Sequence, residues 1–83
     1  MEKTIYTTEY AELLRLLRET REKAGITQTD MATRLGRSQS FVTKYERGDR
    51  RLDVIQLRTI CQVLDTDLPS FVAELERQLA KQR

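Results

Sequence analysis

The chain has 83 residues, of which 39% are hydrophobic and 34% charged, with a formal net charge of +2. This length allows one small domain with a single core, and the presence of only 3 glycines and 1 proline argues against a loop-rich β fold. No apolar stretch is long enough to span a bilayer or to act as a secretory signal, so we expect a cytoplasmic protein. A lone cysteine and the lack of histidine argue against an internal disulfide and a zinc cluster.

The positive charge is concentrated in the middle of the chain. Between Arg34 and Arg51 there are six cations against two acids, Glu46 and Asp49, a local balance of +4. A cluster this small is ordinarily a solvated face. Its meaning therefore depends on the elements that carry it.

The first predicted helix begins near the N-terminus. Thr8 is a suitable N-cap for a helix that starts at Glu9. Leucines at positions 13, 14, 16 and 17 then fall mostly on one wide apolar stripe, which is typical of an amphipathic helix. Gly25 provides the C-terminal stop signal.

Two short helices follow, joined by a single glycine turn. Thr27 and Asp30 form a variant of the capping box, which predicts the start of the second helix, and Gly36 ends it. Ser38 is the predicted N-cap of the third helix. In that helix we expect the inward face to carry Val42 and Tyr45, and the outward face to carry Gln39, Ser40, Thr43 and Lys44.

Two more helices complete the prediction. Asp53 and Gln56 make another capping box for a fourth helix, in which Cys61 is expected to be a small core residue. Asp67 caps a fifth helix, whose first turn tolerates Pro69. The sequence therefore predicts an all-α domain of five helices.

Several linked motifs resemble the phage repressor and Cro type of helix-turn-helix domain, the Xre family. The resemblance covers about residues 13–75, and its motifs are Leu17-x-x-x-Arg21-x-x-x-Gly25-Ile26-Thr27-Gln28, Met31-Ala32-x-x-Leu35-Gly36, Ser38-x-x-x-Val42-x-x-Tyr45-Glu46-x-Gly48 and Leu52. It implies an all-α, compact five-helix, lambda-repressor-like DNA-binding domain over residues 9–80. The helix-turn-helix spans about residues 28–46, between an N-terminal extension, 1–8, and a C-terminal tail, 81–83.

The resemblance implies a transcriptional regulator that binds double-stranded DNA sequence-specifically, as a repressor that covers a pseudo-palindromic operator as a homodimer. We expect no enzyme, because no carboxylate pair, phosphate-cradling glycine loop or activated nucleophile is recognisable, and we expect no cofactor and no metal. The alternative is an antitoxin or adaptor of the same fold with a toxin or other protein partner. We expect no second module for gripping a toxin, which favours the simple regulator.

The family presents the start of the third helix to base edges, and polar side chains there can read sequence. Glutamine can make two hydrogen bonds to adenine, and lysine can reach a guanine acceptor or a phosphate. The alternative is the ordinary polar face of a surface helix. The predicted base-reading residues are Gln39, Ser40, Thr43 and Lys44.

A second set of residues is expected to hold the DNA backbone. Gln28, at the first position of the second helix, matches a glutamine that clamps the backbone in the family, where free N–H groups and the helix dipole suit a phosphate. Phe41 is expected near the rim, where it packs either on the DNA or on the edge of the core. The predicted backbone-binding residues are Gln28, Arg37, Ser38, Phe41, Arg47, Arg50 and Arg51.

Two further interpretations concern stability and assembly. The family commonly pairs an arginine and a glutamate that correspond to Arg21 and Glu46, either as a shielded structural pair or as an exposed, weak one. The apolar stripe of the last helix suggests a symmetric dimer contact. Its candidate residues are Leu68, Val72, Leu75 and Leu79, and the alternatives are Ile5, Tyr6 and Tyr10, which instead pack back on the monomer or belong to a disordered terminus.

Overall fold

The computed structural model describes residues 7–82, and this part of the chain forms five α-helices with no strand. Helix α1 packs on α3 and α5, α2 packs on α3 and α4, and α4 packs on α5. The all-α, five-helix prediction is thereby confirmed. The helices are α1 (Thr8–Lys23), α2 (Gln28–Leu35), α3 (Gln39–Arg47), α4 (Val54–Val63) and α5 (Leu68–Lys81).

Each helix begins with a side chain that accepts a hydrogen bond from its first turn. The predicted caps Thr27, Ser38, Asp53 and Asp67 are confirmed, and Thr27 and Asp53 form complete capping boxes. The predicted start of α1 is wrong by one residue. Thr7 is its N-cap, because its hydroxyl lies 3.0 Å from the backbone nitrogen of Tyr10 and accepts that N–H.

The turns on either side of α3 depend on glycine. Gly36, after α2, and Gly48, after α3, have φ values of 68° and 86°. In this left-handed region a side chain with a Cβ is strained, whereas glycine is not. The two glycines thus fix both ends of the segment that holds α3.

The core lies among all five helices. Val42 and Tyr45 of α3 are 0% and 1% exposed, which confirms the predicted inward face of that helix. Burial raises the pKa of the Cys61 thiol to about 11, with a further contribution from the Asp67 carboxylate, and this agrees with the interpretation of Cys61 as a core residue. The most deeply buried large side chains are Tyr45, Leu17, Met31, Ile60, Val42 and Cys61.

Candidate nucleic-acid interface

Helix α3 presents a polar face at the surface, and its register is set by the core. Since Val42 and Tyr45 are anchored inside, Gln39, Ser40 and Lys44 are left exposed to solvent. Ser38 fixes the start of the helix, because its hydroxyl oxygen accepts the N–H of Phe41 at 3.2 Å. The hydroxyl proton of Ser38 remains available as a donor to a phosphate oxygen.

Thr43 differs from the other three predicted base-reading residues. It is half-buried, and its hydroxyl donates a 3.0 Å hydrogen bond to Oε1 of Gln28 on α2. The prediction that Thr43 simply faces outward is therefore wrong, because the start of α2 lies against this side of α3. The hydroxyl positions another side chain.

Gln28 connects the surface of the helix-turn-helix to its interior. Besides accepting from Thr43, its amide Nε2 donates a 3.0 Å hydrogen bond to Oε1 of Glu46. The side chain is thereby held at the first position of α2, beside backbone N–H groups that have no partner within the helix. One amide hydrogen of Nε2 is left over for a further acceptor such as a phosphate.

Arg21 and Glu46 form a shielded ion pair between α1 and α3. The Arg21 guanidinium donates from Nε and Nη2 to the two carboxylate oxygens, at 2.7 and 3.1 Å, and the side chains are only 10% and 4% exposed. A third bond runs from Nη1 to the carbonyl oxygen of Ile26 at 2.8 Å. The Glu46 hydrogen bond raises the pKa of the Arg21 guanidinium, against burial, which lowers it. Of the two sequence alternatives, the geometry supports the shielded pair.

Gln39 is also held in place from α2. The hydroxyl of Thr29 donates a 3.1 Å hydrogen bond to Oε1 of Gln39. The amide nitrogen of Gln39 keeps its two donors for another group, and Oε1 keeps a second lone pair. Thr29 was missed in the sequence, and no local pattern could have found it, since the two residues meet only once α2 and α3 cross.

Phe41 is buried, with only 8% of its surface exposed, and it packs edge-on against Tyr45 with ring centroids 5.5 Å apart. It therefore closes the edge of the core, and the expectation of a partly exposed ring that packs on DNA is wrong. The reason is that two arginines cover it. The guanidinium carbons of Arg37 and Arg50 lie 4.0 and 5.0 Å from the ring centroid.

The remaining predicted backbone-binding residues have partners of their own. Arg47 makes an exposed ion pair with Asp49, at 3.4 Å. Arg51 lies over the ring of Tyr10, 4.3 Å from its centroid. Sequence reasoning did not assign Tyr10 this supporting role. Its hydroxyl accepts the backbone N–H of Leu52 at 3.3 Å, which ties the loop after α3 to α1.

The predicted dimer stripe on α5 is only partly open. Val72 is 37% exposed, whereas Leu68, Leu75 and Leu79 are half-buried. Of the alternative contacts, Tyr10 is buried within its own chain, as the packing alternative predicted. Ile5 and Tyr6 lie outside the described residues.

Two apolar side chains are more exposed than Val72, and the sequence did not predict them. Val54 and Ile55, at the start of α4, are 61% and 68% exposed. For the fourth helix, the sequence predicted only the capping box and the core residue Cys61. Within residues 7–82, no helix combines the length and the hydrophobicity that a membrane span requires.

This face combines hydrogen-bonding side chains with positive charge. Gln39, Ser40 and Lys44 offer donors and acceptors at the exposed start and middle of α3. Gln28, Arg37 and Arg50 flank that row with donors directed by α2, the turn and the loop after α3. Such a surface suits a polyanion whose edges carry a pattern of hydrogen-bonding groups.

Comparison with known proteins agrees with this geometry. The family model described as "Helix-turn-helix domain" matches residues 12–75. No curated protein matches the chain. Among solved structures, an XRE-family like protein from Pseudomonas syringae pv. tomato str. DC3000 is 48% identical, with a TM-score of 0.80 over 84% of this chain and 85% of that protein.

Two other solved structures are more distant in sequence. The wild-type restriction-modification controller protein C.Esp1396I is 20% identical, with a TM-score of 0.82 over 90% of this chain and 99% of its own. The clp gene regulator ClgR from Corynebacterium glutamicum is 22% identical, with a TM-score of 0.77 over 92% of this chain and 81% of its own. At these identities the similarity concerns the fold alone.

Proposed function

Because this chain belongs to the Xre type of the helix-turn-helix domain family, we propose that it regulates transcription by binding a specific site on double-stranded DNA. It acts as a repressor in the cytoplasm, where a homodimer covers a pseudo-palindromic operator. We assign it no catalytic activity, cofactor or metal. The observation that carries the proposal is the exposed polar row of α3, which lies beside Gln28, itself held by Thr43 and Glu46, and between Arg37 and Arg50.

The proposal divides the work between two sets of side chains. Gln39, Ser40 and Lys44 read base edges from the major groove. They are exposed because the opposite face of α3 is buried in the core. Gln28 and Arg50 hold phosphates and thereby set the register of the protein on the duplex. A protein of the same fold, C.Esp1396I, is known as a tetramer in complex with its natural 35-base-pair operator, which supports DNA as the ligand.

The central experiment is selection of bound sequences from random double-stranded DNA, followed by binding measured against salt concentration. We expect one preferred motif and steep salt dependence; 6 to 10 phosphate contacts would lose about 10³- to 10⁵-fold in affinity between 50 and 200 mM salt. The absence of any motif and of salt dependence would contradict the proposal and favour the protein-interaction alternative.

Two variants test the division of labour in the same assay. Gln39→Ala should change the preferred motif, since its amide contacts a base, whereas Arg50→Ala should weaken binding to all sites alike. Uniform weakening by both variants would show that Gln39 contributes only general affinity. Arg77→Ala, on the exposed side of α5, serves as the matched loss of one positive charge.

The homodimer is proposed to form through α5, because Val72 is exposed in the middle of its apolar stripe. Two domains about 34 Å apart would read the two halves of a palindrome. Light scattering at roughly tens of micromolar, a range in which modest interfaces associate, should show a dimer that Val72→Asp dissociates. The control is Ile55→Asp, the same change on the exposed side of α4. A monomeric wild type would contradict the dimer, and dissociation by Ile55→Asp alone would move it to α4.

A further inference from the structure

The arginines before and after α3 meet on one aromatic ring. Arg37 lies in the turn between α2 and α3, and Arg50 lies in the loop that follows α3. Their guanidinium carbons are 4.0 and 5.0 Å from the centroid of the Phe41 ring. The sum of these two distances is therefore an upper limit for the separation of the two guanidinium carbons. The two residues are 13 positions apart in the sequence.

In the part of the chain that the structure describes, Arg37 and Arg50 differ from several other arginines in having no carboxylate partner. Arg21 is paired with Glu46, Arg47 with Asp49 and Arg77 with Glu74. The guanidinium groups of Arg37 and Arg50 instead lie over the ring of Phe41. A ring face attracts a guanidinium without accepting hydrogen bonds from its N–H groups as a carboxylate would. The N–H donors of Arg37 and Arg50 therefore remain available for an external acceptor.

The ring also reduces the entropy that binding must overcome. A free arginine side chain loses rotamer freedom when a ligand fixes it, and that loss opposes binding. Phe41 is itself fixed, since it is 8% exposed and packs against Tyr45. It therefore keeps both guanidinium groups beside one ring before any ligand arrives, and two neighbouring cations attract an anion more strongly than either does alone.

We propose that Arg37 and Arg50 form one clamp for a single phosphodiester of the DNA backbone, with Phe41 as the positioning residue. The inference rests on the proposed function, and it names the group that this end of the interface binds. The planar forks of arginine match phosphate oxygens in pairs, which a single lysine cannot do. Because the two arginines flank α3, the phosphate they share fixes the register of that helix on the duplex.

The test uses the operator found by selection, prepared as a series of duplexes in which one phosphate at a time is replaced by an uncharged methylphosphonate. Arg37→Gln and Arg50→Gln should each weaken binding to the unmodified operator by about tenfold, the scale of a hydrogen bond between charged groups. On the duplex that lacks one particular charge, both variants should bind as the wild type does. That position should be the same for the two arginines.

Phe41 is tested in the same series. Phe41→Leu keeps an apolar side chain but removes the ring, so we expect it to reduce the penalty of that same methylphosphonate. Phe41→Tyr keeps an aromatic ring and should therefore retain the wild-type penalty. If Phe41 only filled the core, folded Phe41→Leu and Phe41→Tyr would both retain it. The mapping of Arg37 and Arg50 does not depend on either variant and stands even where Phe41→Leu unfolds the domain.

The outcomes separate the clamp from the proposed function. If the wild type binds the operator but the two arginines map to different phosphates, the clamp is wrong and the function stands. An unchanged phosphate pattern in folded Phe41→Leu would remove Phe41 as the positioning residue. If no DNA is bound at any salt concentration, both proposals are overturned. Arg77→Gln controls for the loss of one charge and should leave every position of the series unchanged.

Discussion

Arg21 lies inside the protein with its guanidinium 2.7 Å from the Glu46 carboxylate, whereas Arg37 and Arg50 lie at the surface over the ring of Phe41. The first region neutralises a charge where water is excluded. The second holds charges close together without neutralising them. Removing Glu46 from the first region leaves the buried Arg21 charge without its partner. Removing Arg37 or Arg50 from the second region takes away a donor to an external anion. The comparison predicts that stability and DNA binding respond to different arginines.

The largest expected effect comes from breaking the buried pair. The Arg21 side chain is only 10% exposed, and Glu46→Ala removes the carboxylate that accepts its hydrogen bonds. The same substitution removes the acceptor of the Gln28 amide. We expect the free energy of unfolding in urea to fall by about 3 to 5 kcal/mol. For a domain of this size, 1 kcal/mol corresponds to a shift of about 4 to 8 °C in melting temperature.

Arg47→Ala is the matched control, because it breaks an exposed ion pair with Asp49 one residue beyond Glu46. Its expected effect on unfolding is about 0 to 1 kcal/mol. Equal losses from Glu46→Ala and Arg47→Ala would abolish the contrast between the two regions. A loss below about 1 kcal/mol for Glu46→Ala would mean that water replaces the Glu46 carboxylate without penalty.

A smaller effect is expected where the two regions are joined. Thr43 donates to Gln28, and Gln28 in turn donates to Glu46, so a chain of hydrogen bonds runs from the DNA-facing surface to the buried pair. Thr43→Val keeps the shape of the side chain but leaves Oε1 of Gln28 without its donor. We expect a loss of about 1 to 2 kcal/mol in unfolding, weaker DNA binding and an unchanged selected motif.

Ser40→Ala is the counterpart of Thr43→Val. Ser40 is exposed on the same helix and its side chain is proposed to read a base. This variant should alter the motif and leave stability nearly unchanged. If Thr43→Val altered the motif instead, Thr43 would read a base directly, as its place in the sequence first predicted.

The starts of the helices could be predicted because capping is local. Thr27, Ser38, Asp53 and Asp67 each lie three residues before the N–H that they accept. The error at α1 is also local, since Thr7 and Thr8 are adjacent and both can cap. Local chemistry specifies that a helix begins there and leaves the choice of threonine to the packing of Tyr10, which is buried.

The contacts that organise the interface could not be predicted in the same way. Thr29 and Gln39 are ten residues apart, and Gln28 and Thr43 are fifteen apart. They meet because α2 and α3 pack at a particular angle. Only Arg21 and Glu46 were predicted as a pair, from the resemblance to a family, and even there the burial required the structure. The role of Phe41 depended likewise on two loops that the sequence leaves unplaced.

The smallest expected effect concerns a pair that lies between the two extremes. The Glu12 side chain is 8% exposed, but its partner Arg15 is 38% exposed. Glu12 also accepts from the amide of Gln82 at 2.9 Å, which links α1 to the end of α5. The hydrogen bond from Arg15 lowers the pKa of Glu12 below its ordinary value, against burial, which raises it.

This direction sets the pH dependence. A carboxyl group with a lowered pKa in the folded state stabilises the fold at pH values above its ordinary pKa near 4.5. The contribution is lost as the pH falls through the lowered value. Glu12→Gln should therefore lower the free energy of unfolding at pH 7 by at most about 1 kcal/mol, and the difference from the wild type should be smaller at pH 3 than at pH 7.

Urea unfolding of both proteins at the two pH values measures this change, with Glu76→Gln as the control for the loss of one negative charge on an exposed side of α5. Gln82→Ala removes the neutral contact alone and separates it from the ion pair. A difference between Glu12→Gln and wild type that is equal at pH 3 and pH 7 would show that the Glu12 charge contributes nothing. Arg15 would then resemble the exposed arginines, and an ion pair in this domain would be structural only where both side chains are shielded, as they are at Arg21 and Glu46.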